Sequence, residues 1–411
     1  MIKMAKYAIC FAMDALIDIL NSRYTSYRNY RNMQNQNKDQ IPPSSPQVAS
    51  GSAPSEPDTE VILNEKVKIN WYRTKVEKSV MSGLMKRSDA KAMRQCVLQL
   101  ALYAVTAALC FVTIKNMSLG NLYWSAPALL ACFFLHGTFS HFMGLVAVHE
   151  LVHKTPFRTQ SLNDFFLYLF SFLSWSDPLW FRSSHVRHHQ VTGYHDLDFE
   201  LVLPQKMDWD CVKFWFWQLV PFPKPDATWQ RIQAWIKTAA KNPTDKKFYD
   251  DRWHEIHMPG QDVRVRQNTW ARTFLAGHLA LALLFVATGH WYLILIVNLS
   301  CFYSPWLYTL CTTPQHIGMT PDSPDFRMVC RTFTCGRFLG FLYWNMQYHI
   351  EHHTYPAVPF YNLPALRKAI AHDLPPAPHG LWATWREIIP VLKKQRENPE
   401  YTFIPELPKL V

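Results

Sequence analysis

The sequence predicts an all-α integral membrane protein. Four membrane-spanning helices would form two hairpins, and a cytoplasmic helical cap would hold a paired metal site. Three observations carry this expectation. Two apolar stretches, 96–148 and 274–311, are each long enough for two crossings. A strongly basic segment precedes the first stretch. Three short histidine strings fall where the four spans would bring them to one side of the membrane.

The composition agrees. The chain has 411 residues, of which 49% are hydrophobic and 15% aromatic. Its net charge of +11 comes from basic residues that flank apolar spans. That charge fits a surface facing anionic lipid rather than nucleic acid. The nine cysteines form no CxxC pair and read as buried thiols rather than a disulfide framework. Asp14 and Asp18 interrupt the mildly apolar start, so no secretory signal peptide is expected.

In chain order, 1–65 reads as a disordered tail, since Gln34 to Glu60 is rich in Gln, Asn, Ser and Pro. Residues 66–95 read as a basic cytoplasmic amphipathic segment, with Lys66, Lys68, Arg73, Lys75 and Lys78 among its cations. The positive-inside rule places it on the cytoplasmic side. Residues 96–395 form the membrane domain, and 396–411 a short tail. Spans are expected near 96–114 and 122–148, with a turn around Asn116 on the far side. Two more are expected near 274–288 and 291–311, divided by Thr288-Gly-His290. Both termini are then cytoplasmic. Phe165 to Trp180 is also apolar, but a crossing there would separate the first two histidine strings. It is expected to lie at the interface or against the spans. Lys206 to Asn268 reads as a Trp-rich cap.

The histidine strings are His149-Glu-Leu-Val-His153, His185-Val-Arg-His188-His189 and His349-Ile-Glu-His352-His353. Residues i, i+3 and i+4 share one helix face, so each string aims its imidazoles at one point. Eight converging imidazoles exceed the four ligands of a tetrahedral zinc and suit a pair of metal ions. Imidazole suits several transition metals, so the ligands alone do not name the metal.

The first string also matches HExxH, a zinc-protease signature with the glutamate as general base. An intramembrane metalloprotease has no use for six further clustered histidines. Glu150 therefore reads as a carboxylate that holds an imidazole tautomer. His195, Asp196, Asp198 and Glu351, near the second and third strings, are candidates for the same role. Metal storage or transport fits less well, because transporters place ionisable groups at mid-membrane depth.

The order HxxxH, HxxHH, HxxHH resembles the integral-membrane fatty acid desaturase and hydroxylase superfamily, over roughly residues 95 to 395. The strings Gln315-His316-Ile-Gly, Tyr343-Trp-Asn-Met-Gln-Tyr-His349 and His353-Thr-Tyr-Pro-Ala-Val-Pro-Phe-Tyr look like a subgroup. It includes hydrocarbon-oxygenase and rhizopine-catabolism-type proteins.

The resemblance implies a di-iron site with His149, His153, His185, His188, His189, His349, His352 and His353 as ligands. It implies His316 as a ninth. Thr312 stands where some members have an asparagine that binds through water, and Asn345 is a possible substitute. Trp180, Trp344 and Tyr348 are candidates for the substrate path. No separate protein acid or base is implied. The implied activity is O2-dependent desaturation of a fatty-acyl or other lipophilic substrate. The alternative is hydroxylation or epoxidation of an alkane, terpenoid or other metabolite. No flavin, nicotinamide or haem motif is visible, so electrons would come from cytochrome b5 or a ferredoxin with its reductase. The basic cytoplasmic face suits such an acidic carrier. The membrane would be that of the endoplasmic reticulum if the host is eukaryotic.

Overall fold

The computed structural model describes residues 69–195, 197, 198, 200–245, 257, 258 and 260–408. The expected tail over 1–65 and Asp196 lie outside the described residues. Among the described residues the architecture is helical, and β pairing is limited to isolated bridges.

Before the membrane region come Lys78–Leu84 (α1) and the start of Asp89–Lys115 (α2). Ser88 caps α2 by accepting from the Lys91 N–H, and Asp89 favours the positive end of the helix. The basic segment thus runs into the first span, whose helix begins before Cys96. Leu122–Phe142 (α3) follows a short turn in which the side chains of Ser118 and Asn121 cap one another's backbone. After it come Val148–Val152 (α4), Gln160–Leu173 (α5) and Pro178–Val191 (α6). Val212–Leu219 (α7) and Pro225–Ala240 (α8) lead to Gln261–Ala287 (α9).

Among the described residues three helices are long and apolar enough to cross a membrane: Asp89–Lys115, Leu119–Phe142 and Gln261–Ala287. Their outer faces carry exposed Val105, Leu109, Val112, Leu279, Leu283 and Val286. Such a surface is stable against lipid rather than water. At about 1.5 Å per residue, α5 reaches only about 21 Å, short of a roughly 30 Å hydrocarbon core. It instead buries Phe166, Leu167 and Phe170 against the body of the protein.

The stretch expected as a fourth span, 291–311, is no continuous helix. It has a π turn at Ile294–Asn298, a 3-10 turn at Ser300–Phe302, and helix only at Trp306–Thr312 (α10). Pro305 and the left-handed Ser304 (φ 56°) explain the break. The freed carbonyls find partners on neighbouring helices. His136 Nε2 lies 2.8 Å from the Ile296 carbonyl, Tyr103 donates to the same oxygen, and Trp175 donates to that of Asn298. Irregular backbone at membrane depth persists only where protein satisfies it in this way.

The remaining helices are Phe326–Val329 (α11), Arg337–Leu342 (α12), His349–Thr354 (α13), Leu363–Ile370 (α14) and Gly380–Glu397 (α15). The largest apolar core joins the inner end of α3, α4 and α5 to α11, α12, α13 and α14.

Candidate metal centre

The inner end of α3 passes through a π turn, Met143–Ala147, into α4. Such turns recur at functional sites because they rephase the residues that follow. Gly144 lies in this turn, where a Cβ would meet Ser174 Cβ at 2.8 Å. With no Cβ there, the end of α5 packs close against the turn that leads into the first histidine string. Helix α6 starts on Pro178, with Asp177 accepting from the Leu179 and Trp180 N–H groups. That cap fixes the phase of His185, His188 and His189. Helix α13 carries the third string, and His316 ends a 3-10 turn after α10.

The nine expected histidines meet in two groups. His149, His153, His185, His189 and His352 bring their ligand atoms within 4.8 Å of one another. His316, Cys330, His349 and His353 form a second group on the same criterion. His188 adjoins the second, its ring 5.3 Å from that of His316 and 4.9 Å from that of His353. Cys330 escapes the sequence reading, since a cysteine outside any CxxC pair carries no metal signal.

The donors fit metal ions. His153 Nε2, His349 Nδ1, His352 Nε2 and His353 Nε2 are buried without a hydrogen-bond partner. His189 Nε2 faces His185 Nε2 at 3.0 Å, and His349 Nε2 faces His316 Nε2 at 2.8 Å. Buried polar atoms left unpaired cost free energy, and a shared cation removes that cost for the whole group. Burial holds the imidazoles of His149, His185, His189, His349, His352 and His353 well below their ordinary pKa. It holds His153 and His316 down to about 3. These rings are therefore neutral, which is the ligating form.

Outer partners set the tautomers. His188 Nδ1 donates to Asp198 Oδ2 at 2.8 Å, and His185 Nδ1 to Glu200 Oε1 at 3.0 Å. His316 Nδ1 donates to the Val329 carbonyl at 2.9 Å. Each bond turns the ring's Nε2 lone pair inward. Burial opposes charge on His188, but Asp198 and then Glu200 outweigh it and raise its pKa. Asp198 is itself held by the N–H groups of Gly193, Glu200 and Leu201. Glu200 escapes the sequence reading; its proximity to Asp198 was the available signal.

The other expected carboxylates differ. Glu150 is fully buried, with His352 Nδ1 3.4 Å from its Oε1, and burial pushes its carboxyl up to about 8. Glu351 points at Arg367 (2.6 Å) and Thr332 (2.6 Å), and so braces α13 from behind. His195 is exposed and pairs with Asp322 at 2.9 Å, away from the imidazoles. Asn345 donates to the Phe360 carbonyl.

A cavity of about 280 Å³ opens on both groups. Its wall includes His149, His185, His188, His316 and His349, with Val146, Phe181, Leu201, Tyr308 and Met346. Thr312 lines it beside Thr313, Gln205, Gln315 and Glu200. Trp180, Trp344 and Tyr348 are absent from this wall. Trp180 borders another recess beside Trp175, Trp344 is buried against Gln99, and Tyr348 lines a recess near Cys335. Glu150 is absent from the wall as well.

Comparison with known proteins agrees with this geometry. The family model described as fatty acid desaturase matches residues 123–385. A human protein described as sphingolipid delta(4)-desaturase/C4-monooxygenase DES2 is 27% identical over 242 residues. That match covers 56% of this chain and 62% of the relative, less than two thirds of the relative's length.

Proposed function

Since the chain belongs to the fatty acid desaturase family, we propose that it is an O2-dependent membrane oxidoreductase that attacks an unactivated C–H bond of a lipophilic substrate. The observation that carries this reading is a cavity whose wall carries imidazoles of both groups. In this reading His149, His153, His185, His189 and His352 hold one iron, and His188, His316, His349 and His353 the other. Bound there, two irons would supply reductive activation of O2 and abstraction of hydrogen from carbon.

The chain's own residues do the rest. Asp198 and Glu200 hold His188 and His185 in the tautomer that presents Nε2. Phe181, Leu201, Tyr308 and Met346 exclude water and position the substrate carbon. Gln205, Thr312, Thr313 and Gln315 offer hydrogen bonds in the same wall, which favours a substrate with a polar group near the attacked carbon. The relative's printed activities, on a sphingolipid, are of that kind. Desaturation and hydroxylation share the first abstraction, so positioning decides the product. Desaturation is the reading preferred here, and hydroxylation or epoxidation the alternative. The protease reading is weaker, because Glu150 faces His352 and has no place in the cavity wall.

The proposal includes four crossings, the fourth made by the broken segment 291–311, and cytoplasmic termini. In a eukaryotic host the membrane is that of the endoplasmic reticulum. Electrons come from cytochrome b5 or a ferredoxin with its reductase. The test is mass spectrometry of products made by the iron-loaded protein in lipid nanodiscs with such a carrier. Saturated acyl and sphingoid lipids are supplied. A product lighter by two hydrogens or heavier by one oxygen supports the reading; peptide cleavage with neither product overturns it.

A further inference from the structure

The segment ahead of α1 lies close to the second histidine group. Trp71, partly exposed, stacks on Phe326 with ring centroids 3.9 Å apart and planes within 8°. Phe326 is buried, and its ring centroid lies 5.5 Å from that of His353. Three rings thus connect the surface to a ligand of the second group. Of the four histidines there, His353 is the one absent from the cavity wall. The stack therefore approaches the group from a side other than the substrate's.

The segment is firmly held. The Trp71 indole N–H donates to the Gln190 carbonyl at 2.9 Å, and the Tyr72 N–H to that of Pro324 at 2.8 Å. The Tyr72 hydroxyl donates to Asp373 at 2.8 Å, and the Arg327 guanidinium lies 4.1 Å from the Tyr72 ring. Arg327 pairs with both Asp325 and Asp373 and so offsets one of their two charges, and Asp322 faces His195. Arg73 and Lys75 are exposed and have no ion-pair partner among the described residues. Beyond Gln190, a recess is lined by Lys154, Arg182, Arg187 and Arg266, with Asp164 as its acid. Asp262 pairs with Arg266, so among the described residues around Trp71 and this recess the cations Arg73, Lys75, Lys154, Arg182, Arg187, Arg266 and Arg327 outnumber the acids Asp164, Asp262, Asp322, Asp325 and Asp373.

We propose that this surface docks an acidic one-electron carrier protein and that electrons enter along Trp71, Phe326 and His353. The inference rests on the di-iron reading above. Each reduced carrier is oxidised by one electron, and two carriers reduce the metal pair once by two electrons. The charge pattern steers the encounter, and the stacked rings shorten the gap that each electron crosses.

The test follows the reoxidation of two acidic carriers, the reduced cytochrome b5 haem domain and a reduced [2Fe–2S] ferredoxin. Each is mixed without oxygen with full-length, iron-loaded protein in detergent. Trp71→Leu is expected to slow reoxidation by roughly tenfold at saturating carrier. Trp71→Phe, which keeps the stack, should restore most of the rate. Arg73→Glu with Lys75→Glu should weaken carrier binding and flatten its salt dependence. Iron content and reduction by dithionite should stay unchanged in every variant, which excludes misfolding.

An unaltered rate in Trp71→Leu, or no reoxidation of either carrier by a protein that dithionite reduces, overturns the route. Unaltered binding in the charge-reversed variant overturns the docking surface and leaves these cations to anionic lipid. A protein that binds no iron fails the earlier reading instead, so the two failures are distinguishable.

Discussion

His188 Nδ1 lies 2.8 Å from Asp198 Oδ2, and both side chains are buried. The bond ties the second string on α6 to the loop that follows it. Asp198 also accepts three backbone N–H groups from that loop, so the aspartate is placed before it places the histidine. Asp198→Asn should disorder this ring and weaken the second metal. Metal affinity should fall by roughly 10- to 100-fold, the usual cost of losing such a partner. Isothermal titration of the stripped protein with ferrous ion would show one of two binding events losing affinity while the other holds.

Arg367 and Glu351 make a different kind of prediction. Glu351 is fully buried, and Arg367 is its charge partner at 2.6 Å. Arg367→Ala leaves a buried carboxylate unpaired, a loss of about 3–5 kcal/mol. Removing both charges, as Glu351→Gln with Arg367→Met, should cost less than the single change. Thermal melting in detergent measures both.

The cavity wall can be tested by volume. Leu201→Trp adds bulk beside His185 and His188 without removing a ligand. In a cavity of about 280 Å³ it should lower kcat/KM or shift the desaturated-to-hydroxylated ratio, with iron content unchanged. Product analysis alongside elemental analysis separates the two effects.

Acid should destabilise the metal-free protein. Burial depresses His149, His153, His185, His189, His316, His349, His352 and His353. Below the unfolded value of about 6.5, the unfolded chain binds protons that the folded chain refuses. Stability from these groups is therefore lost as pH falls from about 6.5 toward 3. The raised His188, Glu150 and Glu200 act in the opposite sense but are fewer. The melting temperature of chelator-treated protein should be lower near pH 5.5 than near pH 7.5. Equal melting at both values would contradict the burial of neutral imidazoles.

The three strings were legible because helical spacing alone puts i, i+3 and i+4 on one face, and the structure gathers them in two groups. His316 is a single histidine outside any spacing pattern, so only a family resemblance singled it out. Asp198 was suspected from nearness to the second string, whereas Glu200 depends on a loop path that no periodicity encodes. Hydropathy marked 291–311 as apolar but did not reveal that Tyr103, His136 and Trp175 satisfy a broken backbone there. Trp180, Trp344 and Tyr348 are the sequence's candidates for the substrate path. Aromatic character does not say which cavity a ring lines, and the cavity beside the imidazoles is walled by Phe181, Tyr308 and Tyr343 instead.

The central claim is that the two imidazole groups hold a pair of irons. Elemental analysis of the detergent-purified protein after anaerobic iron reconstitution tests it most directly. The account predicts about two irons per chain, with a His352→Ala variant retaining fewer. One zinc and no iron after that reconstitution would contradict it.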